Sequence, residues 1–74
     1  MTVREIFATN LRRLRKRRQL SQEALAHEAG IDRTYVSALE RQQYSASLDM
    51  LELLAVPLGV QVHQLLDPDF IDSV

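Results

Sequence analysis

Apolar residues recur every three or four positions along most of this chain, which is the period of an amphipathic helix and not of a strand. The first stretch illustrates the pattern, with Ile6, Phe7, Leu11 and Leu14 at helical spacing and basic residues mostly on the other faces. We therefore predict an all-α fold. The expected helices cover about 2–18, 22–29, 33–41, 48–58 and 62–66.

Capping residues mark the ends of these predicted helices. Side-chain oxygens that can accept the free N–H groups of a helix start occur at four places: Thr2, Ser21, Asp32 and Ser47. Thr2 and Glu5 also have the spacing of a capping box. Gly30 and Gly59 follow the second and fourth helices, where a left-handed residue commonly ends a helix.

The second and third predicted helices are joined by a very short turn, which runs from Gly30 to Asp32. Helices joined this tightly cross steeply and need a small residue where they approach most closely. Ala26 opposite Val36 meets that need, and Ile31 can fill the turn. The pattern predicts a helix-turn-helix, which places its second helix in the major groove of DNA.

Charge is divided unevenly along the chain, although the net charge is only −1. All nine basic residues lie at or before Arg41, together with five acidic residues. From Gln42 onward there are five acidic residues and no basic residue. Because DNA attracts a basic surface and repels an acidic one, the first half is expected to face the phosphates.

Composition argues against several other classes of protein. The 74 residues include no cysteine, and His27 and His63 are far apart, so we expect no disulfide and no metal site. The residues do not suggest a nucleophile with a base, and we predict a protein that is not an enzyme and takes no cofactor or small-molecule ligand. A signal segment and a long apolar run are also missing, which favours the cytoplasm. We predict one domain at 1–67 and a short acidic tail at 68–74.

The motif extends well beyond the turn, and its residues agree together at fixed spacings. It comprises Leu20-Ser21-Gln22-Glu23, Leu25-Ala26, Ala29-Gly30-Ile31-Asp32, Val36-Ser37, Leu39-Glu40-Arg41, Ser47-Leu48, Leu51, Leu54-Ala55, Leu58-Gly59-Val60 and Leu65-Leu66. This string resembles the Xre/Cro-CI, or lambda repressor-like, helix-turn-helix regulators over about residues 6–67. The third helix and the short length are also similar to the controller proteins of restriction–modification systems.

The resemblance implies a compact five-helix domain that binds pseudo-palindromic operators as a homodimer. The third helix then enters the major groove, the second rests on the backbone and the fifth contributes to the dimer contact. Departures from the family pattern occur at Tyr44, Ala46 and Pro57. Gln19 and Gln42 stand where the family usually has Gly, so each is expected to adopt a positive φ at a cost of about 1 kcal/mol.

The third helix supplies the expected base contacts: Arg33, Thr34, Ser37 and Ala38. Arg33 can donate two hydrogen bonds to guanine, and Thr34 can donate to a base or place its methyl on thymine. Ser37 and Ala38 are small, so we expect them on the exposed face, where they let the helix approach the bases. The alternative for Arg33 and Thr34 is an ordinary solvated first turn.

Four further residues are expected to contact the DNA backbone: Gln22, Tyr35, Arg41 and Arg17. Gln22 begins the second helix, whose free N–H groups attract a phosphate, and the resemblance assigns the matching glutamine this role. Tyr35 can reach a phosphate through its hydroxyl or can be a half-buried surface aromatic. The alternative for Arg17 and Arg41 is a solvated basic face.

Arg15 and Glu40 are assigned a structural role, because the resemblance implies that they form a partly buried ion pair. Apolar residues at the C-terminal end are predicted to form a dimer interface: Val56, Val60, Val62, Leu66 and Phe70. The alternative is that they complete the core.

Two other functions remain open: an antitoxin-like protein that binds a protein partner and regulates its own operon, and an interaction module of the same fold.

Overall fold

Five helices make up the architecture of residues 2–70, the part of the chain that this computed structural model describes. They are α1 (Val3–Arg17), α2 (Gln22–Ala29), α3 (Arg33–Glu40), α4 (Leu48–Leu58) and α5 (Val62–Leu65). The predicted all-α fold is confirmed, and no predicted helix end differs by more than one residue. Of the predicted acidic tail, residues 71–74 lie outside the described part. No helix within residues 2–70 is long and apolar enough to span a membrane.

The first four helices begin where their capping residues predict. Side-chain oxygens accept a backbone N–H at the first four starts: Thr2 from Glu5, Ser21 from Ala24, Asp32 from Thr34 and Ser47 from Met50. The Thr2 and Glu5 capping box is formed. Gly30 and Gly59 end α2 and α4 in the left-handed conformation, with φ of 73° and 71°.

Among residues 2–70, Gln19 and Gln42 also adopt the left-handed conformation, as predicted, with φ of 58° and 63°. Each follows the end of a helix, and the next N–H in the chain returns to that helix. The Leu20 N–H donates to the Arg15 carbonyl at 3.0 Å, and the Gln43 N–H donates to the Ala38 carbonyl at 2.9 Å. The hydrogen bonds of a Schellman cap hold these residues in a strained conformation.

The core lies where the inner faces of all five helices meet. Its fully buried side chains come from every helix: Leu11, Leu25, Val36, Leu39, Leu54 and Leu65. Ala26 and Val36 are both buried, so the small residue predicted for the α2–α3 crossing lies inside. This packing fixes α3 on the domain and leaves its first turn at the surface.

Asn10 is a buried polar residue that the sequence pattern did not single out. The residue is 2% exposed, and its side-chain amide nitrogen donates to the carbonyls of Leu65 at 3.0 Å and Asp67 at 2.8 Å. These carbonyls lie at the end of α5, where a helix has no internal donors left. Asn10 therefore fastens the shortest helix to α1.

Candidate nucleic-acid interface

The surface of α3 is formed by its first turn and by one side of its second turn. Arg33 and Thr34 are exposed, and Tyr35 and Ser37 are half-buried. Arg33 has no ion-pair partner within residues 2–70, so its guanidinium is available to an outside acceptor. The fold thus presents Arg33, Thr34 and Ser37 at the surface on a single helix.

Thr34 is already engaged by the residue that caps α3. Its hydroxyl donates to Asp32 Oδ1 at 2.7 Å, and its backbone N–H donates to the same oxygen at 2.8 Å. The hydroxyl bond is the main reason that the pKa of Asp32 lies below its usual 3.8, followed by the backbone bond and the nearby Arg33 charge. With its proton used in this way, Thr34 retains its hydroxyl lone pairs and its methyl for a contact with a base.

Ala38 requires a correction, because the expectation that it lies on the exposed face is wrong. The residue is only 4% exposed. It lines a recess of about 480 Å³ together with the longer side chains of Tyr35, Arg41 and Tyr44. A methyl group among these larger neighbours is covered by them, which spacing along one helix does not reveal.

The four backbone-facing candidates lie on or next to three helices, α1, α2 and α3. Gln22 is half-buried at the first position of α2, and Arg17 is exposed in the last turn of α1. Arg41 is exposed immediately after α3, and its Nε lies 3.4 Å from the carbonyl of Ser37. Tyr35 is half-buried and packs against the edge of the core, as its alternative interpretation states.

Glu40 connects Gln22 to the ion pair behind the interface. Glu40 accepts from Arg15 Nε at 2.7 Å and Nη2 at 3.1 Å, so the pair expected from the resemblance is present. The Gln22 amide nitrogen donates to Glu40 Oε1 at 3.1 Å. Arg15 Nη1 donates to the Leu20 carbonyl at 2.9 Å, just before α2. The start of α2 and the end of α3 are therefore joined through one carboxylate.

The loop between α3 and α4 contributes a residue that the sequence did not assign to the site. Tyr44 stacks on Tyr35, with ring centroids 5.9 Å apart and ring planes inclined by 12°. Arg4 Nη2 donates to Ser45 Oγ at 2.6 Å, which ties this loop to α1. The only sequence signal for Tyr44 was its departure from the family pattern.

The residues predicted for a dimer interface divide into two groups. Val56 is 81% exposed, whereas four others are half-buried and pack against the core: Val60, Val62, Leu66 and Phe70. These four complete the core in part, which is the alternative that the sequence left open. Two apolar residues that the sequence did not assign to the dimer interface are also exposed on α4, namely Leu48 and Leu53.

Comparison with known proteins gives a family and several relatives. The Helix-turn-helix family matches residues 11–65. A hypothetical transcription factor of Neisseria meningitidis is 46% identical over 66 residues, which are 89% of this chain but only 62% of that protein. The control protein C.SmaI of Serratia marcescens is 41% identical over 66 residues, which are 89% of this chain and 79% of that protein.

Solved structures agree with this chain over most of its length. The crystal structure of the hypothetical transcription factor NHTF from Neisseria has a TM-score of 0.90 at 42% identity, covering 97% of this chain and 83% of that one. The restriction-modification controller protein C.AhdI from Aeromonas hydrophila has a TM-score of 0.80 at 40% identity, covering 84% of this chain and 94% of that one. The fold and the order of the helices are thus shared with solved proteins.

Proposed function

This chain belongs to the Xre/Cro-CI-like helix-turn-helix family of DNA-binding transcription regulators, and from that premise we propose that it binds a pseudo-palindromic operator as a homodimer. The observation that carries the proposal is the exposed first turn of α3, where Arg33 has no ion-pair partner within residues 2–70. In this binding mode α3 lies in the major groove and α2 lies against the backbone.

Base recognition is assigned to Arg33, Thr34 and Ser37. Arg33 donates two hydrogen bonds to the O6 and N7 atoms of a guanine, a contact that discriminates against a wrong base by about 1–3 kcal/mol. Thr34 contributes its methyl and lone pairs, because its proton is held by Asp32. Ser37 is small and half-buried, so it permits close approach of the helix.

Backbone contacts are assigned to Gln22, Tyr35, Arg17 and Arg41. The amide nitrogen of Gln22 is held by Glu40, so a phosphate at this end of α2 is bound by backbone N–H groups. Arg17 and Arg41 are both exposed cations. Each phosphate that such a cation neutralises adds about 0.9 to the steepness of log affinity against log salt concentration.

The dimer contact is assigned to the C-terminal end of the fold. Val56 supplies exposed apolar surface there, and the half-buried Val60, Val62, Leu66 and Phe70 extend it. In a two-fold symmetric dimer the same patch meets itself, which places the two α3 helices on successive turns of DNA. A protein with this role works at the chromosome, and we propose a cytoplasmic location in a bacterial cell.

In vitro selection from a random duplex pool tests the proposal. The expected product is a palindrome whose half-site centres lie about 34 Å apart, with binding that weakens steeply as salt is raised. A selected site without two-fold symmetry would contradict the homodimer. No binding to any duplex at low salt would instead favour an interaction module of the same fold. Tight binding to a co-purified protein, with operator binding secondary to it, would favour the antitoxin-like alternative.

A further inference from the structure

Tyr35 of α3 and Tyr44 of the following loop form a nearly parallel aromatic stack, with ring planes inclined by 12°. Tyr35 also packs against the edge of the core, whereas Tyr44 remains 58% exposed. Tyr35 is therefore restrained both by the core and by a second ring. Parallel rings at a centroid distance of 5.9 Å attract each other in an offset arrangement.

The loop that carries Tyr44 is fastened on both sides of this residue. Before it, the Gln43 N–H donates to the Ala38 carbonyl at 2.9 Å. After it, Arg4 donates to Ser45 Oγ through Nη2 at 2.6 Å and Nε at 3.0 Å. Because one neighbour of Tyr44 is bonded to α3 and the other to α1, the backbone of Tyr44 is held beside α3, and its ring contacts Tyr35 from there.

We propose that Tyr44 is a positioning residue for DNA recognition, whose ring holds Tyr35 in the orientation from which the Tyr35 hydroxyl meets the DNA backbone. This inference rests on the function proposed above. A side chain that is ordered only on binding loses rotamer freedom at that moment, and the loss weakens the complex. The stack orders Tyr35 before DNA arrives, so that this loss does not oppose binding.

A ring in this position acts differently from a cation in two measurable ways. Tyr44 neutralises no phosphate, so its removal leaves the slope of log affinity against log salt concentration unchanged. Its effect also depends on Tyr35, because the second ring acts on DNA only through the first. These two properties separate positioning from direct contact.

The test uses the duplex selected by the wild-type chain and four variants: Tyr44→Ala, Tyr44→Phe, Tyr35→Ala and the double variant Tyr35→Ala/Tyr44→Ala. Tyr44→Ala is expected to weaken binding about 2- to 10-fold for each half-site, the range of a single aromatic pair, at an unchanged salt slope. Tyr44→Phe keeps the stack and is expected to bind like the wild type. In the Tyr35→Ala background, Tyr44→Ala is expected to add no further loss.

Any of three results would overturn the inference: full binding by Tyr44→Ala, equally weak binding by Tyr44→Phe, or an undiminished loss from Tyr44→Ala in the Tyr35→Ala background. The last result would identify Tyr44 as a direct DNA contact. Both Tyr44 variants are expected to stay folded at the temperature of the binding assay, which circular dichroism checks, because Tyr44 is 58% exposed. Failure of the proposed function can be told apart from failure of this inference alone. In the first case the wild-type chain binds no duplex at all, and both proposals are overturned.

Discussion

Arg15 of α1 and Glu40 of α3 are joined by two hydrogen bonds in one largely buried ion pair. The Nε–Oε2 distance is 2.7 Å and the Nη2–Oε1 distance is 3.1 Å, and the two side chains are 10% and 5% exposed. Arg15 also donates to the carbonyl of Leu20, and Glu40 also accepts from Gln22. The pair therefore lies directly behind the proposed DNA-binding surface and connects the three helices that form it.

Removing one partner of this pair is expected to destabilise the domain strongly. Glu40→Ala leaves the Arg15 charge buried without its carboxylate, which in comparable pairs lowers the free energy of unfolding by about 3–5 kcal/mol. Urea unfolding of Glu40→Ala beside the wild type measures this loss. Glu23→Ala is the matched control, because Glu23 is exposed and has no ion-pair partner within residues 2–70. Equal stability of the Glu40→Ala variant and this control would contradict the assigned role.

Gln42 is expected to limit stability through its backbone. Its φ of 63° costs a non-glycine residue about 1–2 kcal/mol, and glycine avoids this cost while losing about 0.5–1 kcal/mol through its flexible unfolded chain. Gln42→Gly is therefore expected to raise the free energy of unfolding by about 0.5–1 kcal/mol. Gln43→Gly is the control, since Gln43 is not among the positive-φ residues and should gain nothing. Equal effects of the two substitutions would show that the positive φ of Gln42 does not lower stability.

Most of the fold could be predicted from sequence because local signals agree with the global packing. Thr2, Ser21 and Asp32 mark helix starts by their own side-chain chemistry, and Gly30 and Gly59 mark helix ends by theirs. These signals act over a few residues, so they are legible in a single sequence. Consistency between local preference and fold is what makes such a domain predictable.

The parts that could not be predicted depend on contacts between residues distant in the chain. Asn10 reaches carbonyls more than fifty positions away, at Leu65 and Asp67. Ala38 has helical spacing suited to the exposed face but lies in a recess lined by Tyr35 and Tyr44. Periodicity gives the direction of a side chain from its helix axis, and the path of the α3–α4 loop decides what covers that side chain.

Asp32 is expected to make the stability of the domain depend on pH in the acidic range. Its pKa in the folded chain lies below the usual 3.8 because Thr34 donates to the carboxylate. The stabilisation is therefore fully present above the usual value and is lost as the pH falls through the lowered pKa. Asp32→Asn keeps an N-cap oxygen but does not titrate.

Glu5 also has a lowered pKa, because its carboxylate accepts hydrogen bonds from the backbone N–H and the hydroxyl of Thr2. Glu5 is present in both the wild type and Asp32→Asn, so the difference between their melting temperatures isolates the effect of Asp32. The difference is expected to favour the wild type at neutral pH and to shrink once the pH falls below the usual 3.8. A difference that stays constant with pH would show that the carboxylate charge does not contribute.

Arg33 and Arg41 are expected to differ in what their removal does to DNA binding. Arg33→Ala should lower affinity for the selected duplex by about 1–3 kcal/mol for each half-site and relax the base preference at one position of each half-site. Arg41→Ala should weaken all duplexes alike and reduce the salt slope by about 0.9 for each phosphate that is no longer neutralised. Repeating the selection and the salt titration with each variant separates them. An unchanged base preference of the Arg33→Ala variant would show that Arg33 contacts the DNA backbone and not a base.

Val56 provides a test of the dimer surface, because it is 81% exposed and its replacement disturbs little of the core. Val56→Asp places a charge on a patch that meets its own copy across a two-fold axis, so two like charges would be brought together without partners. The variant is expected to sediment as a monomer at micromolar concentration while the wild type sediments as a dimer.

Val3→Asp is the matched control for this experiment, since Val3 is also exposed but lies at the start of α1. It is expected to remain dimeric and to bind the palindrome like the wild type. Val56→Asp should keep its helical circular dichroism and lose most of its affinity for the palindrome, because each half-site is then bound by a separate molecule. A dimeric Val56→Asp variant would place the interface elsewhere, and a monomeric wild type would remove the symmetric operator from the proposal.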